Sequence, residues 1–598
     1  MAVSNPTSTA AFLAAVTAAL GADAVNNSAS ERADVGRHTL PAPDHLPAAV
    51  LYPASTADVE TIVKLANEHR VALFPISTGR NLGLGSRAPM AAGQVVVELG
   101  KRMNRIVEIN DDLGYAVVEP GVTFNAMYDE LTRRGSALMM SPTAGPPDGS
   151  LLGNAVDKGG GAGPLGSHFD NVCGMEIVLG NGDIVRTGDG GIDSEAHPNW
   201  HVTKYSFGPA LDGLFTQSNY GIVTRVGLWM MQRPAHIRMF FFAFPDDEDL
   251  GEIVDLIRPL KAAQVVPTMI RATNDLYLIS SQQKHPRHDA AGKLAPLTDA
   301  ERRELQKKHG VGSWMVSGAL YGASAAGGEP GLERGKAHFL RSGKARYIPV
   351  EEAEPRAIFQ AAINSNSGRP AGGELQMLKW RPGDGAIWMT PGARMDGAAV
   401  NAFQRGCRAA AAEFGLEYMA SFVCGQRFAR GIHAILYNRD DPEEAARADR
   451  DARADEGTHH RDVRRVSQRR RVRRPRADDL SGLPPEPAHT GDRACLQRHQ
   501  AGARSERRDR ARPLWHPLIQ KETDRCSNVC SSLRCSPLPR LPGASRPRWL
   551  NIHQGRRSSS LVSRPAVATT FSRASSLISC RRISASRSWS KTGRAPMA

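Results

Sequence analysis

Three glycines fall within seven positions in the stretch Pro75-Ile76-Ser77-Thr78-Gly79-Arg80-Asn81-Leu82-Gly83-Leu84-Gly85-Ser86. The stretch follows Val71-Ala72-Leu73-Phe74, a short apolar run that reads as a buried strand. Glycine tolerates positive φ and lets a backbone approach a ligand closely. Ser77, Thr78, Arg80, Asn81 and Ser86 add hydrogen-bond donors. Successive backbone N–H groups beside an arginine make an anion cradle, and a phosphate or pyrophosphate is its natural guest. The spacing is G-x-x-x-G-x-G, which differs from the G-x-G-x-x-G of a Rossmann turn. No helix start follows in Arg87-Ala88-Pro89-Met90. Taken alone, the loop reads more readily as a surface turn between strands than as a cradle, so its neighbours decide.

Length and charge narrow the choices. The chain has 598 residues, enough for two or more domains with sizeable cores. Its net charge of +15 is unevenly distributed. Residues 1–450 hold 44 Lys+Arg against 49 Asp+Glu, whereas residues 451–598 hold 32 against 12. The basic character belongs to the last quarter and excludes nothing for the main body. Cys173, Cys407 and Cys424 are widely separated, and the cysteines after 451 form no C-x-x-C pair. That pattern argues against zinc and for a reducing compartment. The Ala-rich N-terminus lacks a basic n-region and a long apolar stretch, so the sequence predicts a cytoplasmic protein with no membrane contact.

Along the chain, Thr56 to His69 is predicted as a helix capped by Thr56, with Val59, Ile62, Val63 and Ala66 as its apolar stripe. Strands are predicted at 94–99 and 115–122, and a helix from Phe124 to Arg134 closed by Gly135. A second glycine-rich region holds Gly145, Gly153-Asn154 and Gly159-Gly160-Gly161. Glu176 to Thr187 reads as a hairpin around Asn181-Gly182. From about 235, strands near 238–244, 268–280, 313–321 and 375–391 alternate with helices, which predicts an α+β domain on an antiparallel sheet. Beyond about 445 no apolar period is sustained. Residues 451–598 carry 30 Arg to 2 Lys and no Tyr, a bias that builds no core.

In order, Pro75–Ser86, Glu119-Pro120-Gly121-Val122-Thr123, Leu152-Gly153-Asn154-Ala155-Val156, Gly174 to Gly182 and Ser218-Asn219-Tyr220-Gly221-Ile222-Val223-Thr224 resemble the FAD-binding domain of the vanillyl-alcohol oxidase and 4-cresol methylhydroxylase family. The likeness runs over about 45–440. It implies a two-subdomain α+β FAD-binding domain (45–232), an antiparallel-sheet substrate cap (233–445), an N-terminal helical segment (1–44) and a basic tail (446–598) of low order. FAD would be held by Pro75, Ser77, Thr78, Gly79, Arg80, Asn81, Gly83, Gly85, Ser86, Gly145, Gly153, Asn154, Glu176, Gly221, Ile222 and Val223.

The family's chemistry is hydride transfer from the benzylic carbon of a 4-substituted phenol to flavin N5. It needs fixed donors for the phenolate and a carboxylate near the benzylic carbon. The resemblance assigns catalytic positions to Glu374, Ser167 and His168. A surface or ion-paired Glu374 and a structural His168 are the bland alternatives. It also implies a homodimer, with oxygen or a cytochrome subunit as electron acceptor.

Departures are informative. Leu84 stands where the family often has a phenolate-binding Tyr, and Ser167 where it often has Asp or Glu. Ala386 and Leu378 stand where a covalent flavin anchor would fall, which implies non-covalent FAD. These changes leave open a flavin oxidase for an aliphatic hydroxy acid or sugar. The Tyr-Arg pair and closing segment that follow in the family are not visible after Glu444. The skewed tail reads as an out-of-frame translation. The alternative is a basic tail for nucleic acid on a degenerate, non-catalytic paralogue.

Overall fold

The chain is described as a computed structural model over residues 6–193, 197–289 and 294–455. The basic tail and both readings of it lie outside these residues.

The first layer is a helix pair on a small sheet. Helix Pro6–Leu20 buries Phe12 and Val16 against helix Thr56–His69, whose buried stripe is Val59, Ile62, Val63 and Ala66. The cap of the second helix is Ser55 rather than Thr56. The Ser55 hydroxyl accepts from the Asp58 N–H at 3.2 Å, while Thr56 Oγ1 donates to Glu176 Oε1 at 2.7 Å. Strands β1 (Val25–Asn26), β2 (Ala49–Leu51), β3 (Leu73–Ile76) and β4 (Val95–Glu98) form a sheet in the order β1-β2-β4-β3. The three longer strands run parallel and β1 is antiparallel to β2, so the N-terminal segment is part of this sheet.

The second subdomain is an antiparallel sheet of β5 (Ile106–Asn110), β6 (Tyr115–Val118), β8 (Val172–Leu179), β9 (Ile184–Arg186) and β10 (Gly221–Trp229). The short β7 (Leu138–Met139) and β11 (Met231–Gln232) pair as a ribbon. Strand β8 joins the two subdomains. It sends Met175 and Ile177 into the second core and Val178 into the first.

The cap is one antiparallel sheet of β12 (His236–Phe244), β13 (Ile270–Asn274), β14 (Trp314–Gly322), β15 (Arg346–Ile348), β16 (Gly385–Met389), β17 (Gly392–Arg394), β18 (Ala420–Cys424) and β19 (Phe428–Tyr437). Alternation along each strand gives the sheet two faces. One carries Phe240, Phe242, Phe244, Ala272, Val316 and Phe422 beneath helices Leu250–Ala262 and Gly397–Glu413. The other carries Phe241, Ala243 and Met315 at one end and Arg271, Thr273, Ser421 and Arg430 at the other, in cross-strand register.

Two predicted strands are shorter than expected. β13 stops at Asn274, whose side chain accepts from the Tyr277 N–H at 3.0 Å and caps helix Asp275–Ser280. Residues Gly373–Lys379 and Pro382–Asp384 are 3-10 turns, so the strand expected from 375 begins at Gly385. Gly372, at φ 59°, bends the chain into the first turn. The apolar residues that mimicked a strand, Met377 and Trp380, are turn residues facing the core.

A last helix runs over 442–455, past the point where the apolar period fades. Its inward positions are Glu444, Ala448, Asp451 and Asp455. Among the described residues no helix is long and apolar enough to cross a membrane.

Candidate active site

The loop after β3 is shaped by its glycines. Gly79, Gly83 and Gly85 have φ of 66°, 76° and 107°, and Ser86 follows at 54°. Gly83 N donates to Thr39 Oγ1 at 2.9 Å, and the N–H groups of Leu84 and Ser86 both donate to Asn81 O. The N–H groups of Thr78, Gly79, Arg80, Asn81 and Leu82 have no acceptor among the described residues. Five consecutive unclaimed donors fit a pyrophosphate. Arg80 stands beside them, with its Nε 2.7 Å from Asp148 Oδ2.

Small residues crowd the base of this loop because backbone meets backbone there. A Cβ on Gly100 would lie 2.6 Å from Ser77 O, one on Gly121 2.3 Å from Gly100 O, and one on Gly153 2.3 Å from Ser77 Oγ. Ser77 and Gly153 are therefore brought together as predicted. Asn154 follows and contacts His168 Nδ1 through its side-chain amide at 2.6 Å. His168 Nε2 donates to Ser141 O at 2.7 Å. Burial pushes the His168 pKa down to about 4, helped by the nearby charge of Arg430 and opposed by the Ser141 bond. The ring is neutral at pH 7. The His168 backbone N–H donates to Gly159 O at 3.3 Å, beside the β-bridge between Gly160 and Ser167.

Other predicted residues lie elsewhere. Glu176 is buried in β8, and its carboxylate is occupied by Thr56 Oγ1, Thr224 Oγ1 and Arg186 Nε. Gly221, Ile222 and Val223 sit inside β10, with Ile222 in one core and Val223 in the other. Gly145 lies in the loop whose Pro147 ring packs on Gly372, two residues before Glu374.

The cap supplies side chains. Glu374 is buried and is gripped by both Arg271 guanidinium nitrogens, Nη2 at 3.1 Å from Oε2. Tyr277 donates its hydroxyl to Glu374 Oε2 at 3.1 Å. Burial and then the Glu374 charge raise the Tyr277 pKa, which keeps it a donor. Arg271 Nε reaches Ser421 Oγ at 3.1 Å, and Ser421 shares a 2.7 Å hydrogen bond with Thr273. The Tyr277 ring faces Trp388, with centroids 6.3 Å apart.

Trp388 closes the circuit to the loop. Its backbone N–H donates to Gly83 O at 3.0 Å, and a Cβ on Gly83 would lie 2.0 Å from Trp388 Cδ1. At the far side, Met269 N donates to Ala162 O at 2.9 Å, and Arg430 Nη1 reaches Lys158 O at 3.4 Å. The polar half of the cap sheet thus faces the glycine segments of the first domain.

Arg271, Tyr277, Ser421, Trp388 and Arg430 were not predicted. A charge inside the apolar strands Met269-Ile270-Arg271-Ala272 and Phe428-Ala429-Arg430-Gly431 is the signal that could have found the two arginines. Away from this cleft, Cys407, His433 and Asp455 each bring a ligand-type atom within 4.8 Å of the others, the one such group among the described residues. His433 Nδ1 there lies 3.1 Å from Asp455 Oδ2.

Residues 47–188 match the family model described as an FAD binding domain. The chain is 36% identical over 405 residues to the 4-cresol dehydrogenase [hydroxylating] flavoprotein subunit of Pseudomonas putida, covering 68% of this chain and 77% of that one. It is 34% identical over 469 residues to the 1'-carboxy-chondrochloren decarboxylase of Chondromyces crocatus, covering 73% and 86%. The crystal structure of p-cresol methylhydroxylase with substrate bound superposes with a TM-score of 0.73 at 32% identity, covering 76% and 88%.

Proposed function

The chain belongs to the FAD-dependent oxidoreductase family of the 4-cresol dehydrogenase flavoprotein subunit, and from that premise we propose that it oxidises the benzylic carbon of a 4-substituted phenol. The observation that carries the reading is the meeting of two unlike surfaces: unclaimed backbone N–H groups on one side and the Arg271–Glu374–Tyr277 cluster with Trp388 on the other. FAD is the cofactor, and when bound it supplies a two-electron acceptor at its ring. In this reading residues 45–232 hold it and 233–445 hold the substrate.

The chain's own residues do the rest. The Thr78–Leu82 N–H groups and Arg80 hold the pyrophosphate. Gly153, Asn154 and the Gly160–Ser167 bridge present backbone close to a flat ring, where side chains would intrude. Trp388 walls the substrate side, with its ring beside that of Tyr277. The reaction removes a hydride from the benzylic carbon and the proton of the phenol, leaving a quinone methide to which water adds. Glu374 is the carboxylate available to direct that water, with Arg271 balancing its charge and Tyr277 fixing one oxygen. Ser167 lies where the family often has Asp or Glu, and its hydroxyl can pass a proton without holding it.

Neither Ala386 nor Leu378 can bond to flavin, so attachment is non-covalent. A cytochrome subunit is the proposed electron acceptor; that the relative is named as a flavoprotein subunit supports a partner subunit for this one. Anaerobic addition of a 4-alkylphenol to the yellow holoprotein tests the reading: the flavin band should bleach and return on adding oxidised cytochrome c. Bleaching by aliphatic hydroxy acids or sugars alone would replace the phenol reading.

A further inference from the structure

Two arginines leave the same face of the cap sheet toward the cleft. Arg271 is directly opposite Val423 on β18, and Val423 is directly opposite Arg430 on β19. Residues directly opposite across antiparallel strands share a face. Two strand spacings put the arginines about 10 Å apart at the backbone. Their electrostatic situations differ. Arg271 is neutralised by Glu374. Arg430 is half-buried and has no carboxylate partner among the described residues; its contacts are Lys158 O and the Phe428 ring, 6.0 Å away.

What faces Arg430 is equally telling. A Cβ on Gly160 would lie 3.6 Å from its Nη1, so the guanidinium points into the glycine segment that the Ser167 bridge and His168 hold in place. That segment offers carbonyls and the His168 imidazole, and no carboxylate among the described residues pairs with Arg430. A guanidinium at the cleft with no carboxylate partner is free to pair with an anionic guest.

We propose that Arg430 is the anion-holding group of this cleft, pairing with a delocalised oxyanion-type charge. That charge has two sources in a flavin-dependent phenol oxidation: the phenolate of the substrate, or the negative charge gathered by the cofactor ring on reduction. Charge beside the ring is a standard lever on flavin electronics, and a planar guanidinium suits a planar anion. The proposal rests on the FAD reading; only one arm of its test uses the phenol reading.

The test compares Arg430→Met, Arg430→Lys and wild-type holoprotein in two titrations. Sulfite is titrated against the oxidised flavin with no organic substrate present, which reports positive charge at the ring. In parallel, 4-bromophenol, which has no benzylic hydrogen, is titrated over a pH range spanning its ionisation. R430M should weaken one of the two by about tenfold or more, equivalent to ~1.4 kcal/mol, with R430K between. Loss in the sulfite arm assigns the charge to the cofactor, and loss in the phenol arm assigns it to the substrate.

A second variant, Val423→Glu, adds a carboxylate beside an intact Arg430. It should reproduce the same loss, which keeps the test open if R430M folds poorly. If flavin content and melting are normal and neither arm changes by more than about twofold, the proposal is overturned. A holoprotein that bleaches only with hydroxy acids would remove the phenol reading while leaving the sulfite arm decisive.

Discussion

On the proposed FAD side the cleft is lined by backbone, and on the cap side by side chains. The proposed cofactor wall is built from Thr78–Leu82 N–H groups and from glycines whose absent Cβ atoms make room for other main chain. The cap wall is built from Arg271, Tyr277, Glu374, Trp388 and Arg430, set out on a regular antiparallel sheet. A wall of backbone recognises what every relative must bind, and its specification is steric. A wall of side chains can be rewritten one residue at a time without disturbing the strands beneath. This is how one cofactor module serves many substrates.

The comparison predicts unequal consequences for mutation. The largest is expected at Gly121→Ala. The added methyl would meet Gly100 O at 2.3 Å and Met103 O at 2.8 Å, main-chain atoms with nowhere to go. Gly100 in turn donates to Ser77 O at 3.0 Å, so the disturbance reaches the cradle directly. FAD affinity should fall by about a hundredfold or more, ~2.7 kcal/mol, read as flavin per protein after gel filtration. Normal flavin content would break the idea of a sterically specified wall.

Glu374 comes next. Glu374→Ala leaves Arg271 buried without its counter-charge and should cost about 3–5 kcal/mol in denaturant unfolding. Glu374→Gln keeps hydrogen-bond acceptance and should cost less, while slowing oxidation more than it weakens substrate binding. If E374A unfolds like wild type, the cluster does not organise the cap wall.

Asp451 is a control outside both walls. It lies on the inward stripe of the last helix, and its Oδ1 finds no partner among the described residues. Burial, aided by the Asp455 charge, pushes its pKa up to about 8. An acid whose pKa is higher folded than unfolded contributes most below its unfolded value of about 4. That contribution is lost as pH rises through 8. Asp451→Leu should therefore stabilise by about 2 kcal/mol at pH 8.5 and by less at pH 5, with flavin content unchanged. Equal gains at both pH values would show that the carboxylate is already partnered.

The smallest effect is expected at Leu84→Tyr. Leu84 is 54% exposed beside Gly83, so stability should not move. A hydroxyl at this position should lower KM for a 4-alkylphenol by about threefold, ~0.7 kcal/mol. A change in flavin affinity instead would place this residue on the cofactor wall.

The same contrast explains what the sequence makes legible. The glycine loop, the Asn-Gly hairpin and the helix stripes are local, and the structure contains them. The helix cap was misplaced by one residue because Ser55 and Thr56 are both good caps, and a long-range bond from Thr56 to Glu176 decides between them. Asn274 ended a predicted strand because capping is local but the choice between strand and helix is not. Met377 and Trp380 imitated a strand because burial, not period, selects apolar residues in a turn. Arg271 and Arg430 meet the cleft only through cross-strand register over some 150 residues of sequence, a relation that no window of the sequence contains.

The bond from Trp388 to Gly83 also has a consequence for how the molecule comes apart. It ties the rim of the cofactor cradle to β16, an edge strand of the cap sheet, at a point where even a methyl group does not fit. Such a joint transmits load. Free energy gained when FAD fills the cradle is then shared by the cap, because one cannot open without the other. Calorimetry of the holoprotein should show a single cooperative endotherm, with added cofactor moving cap and cradle to higher temperature together.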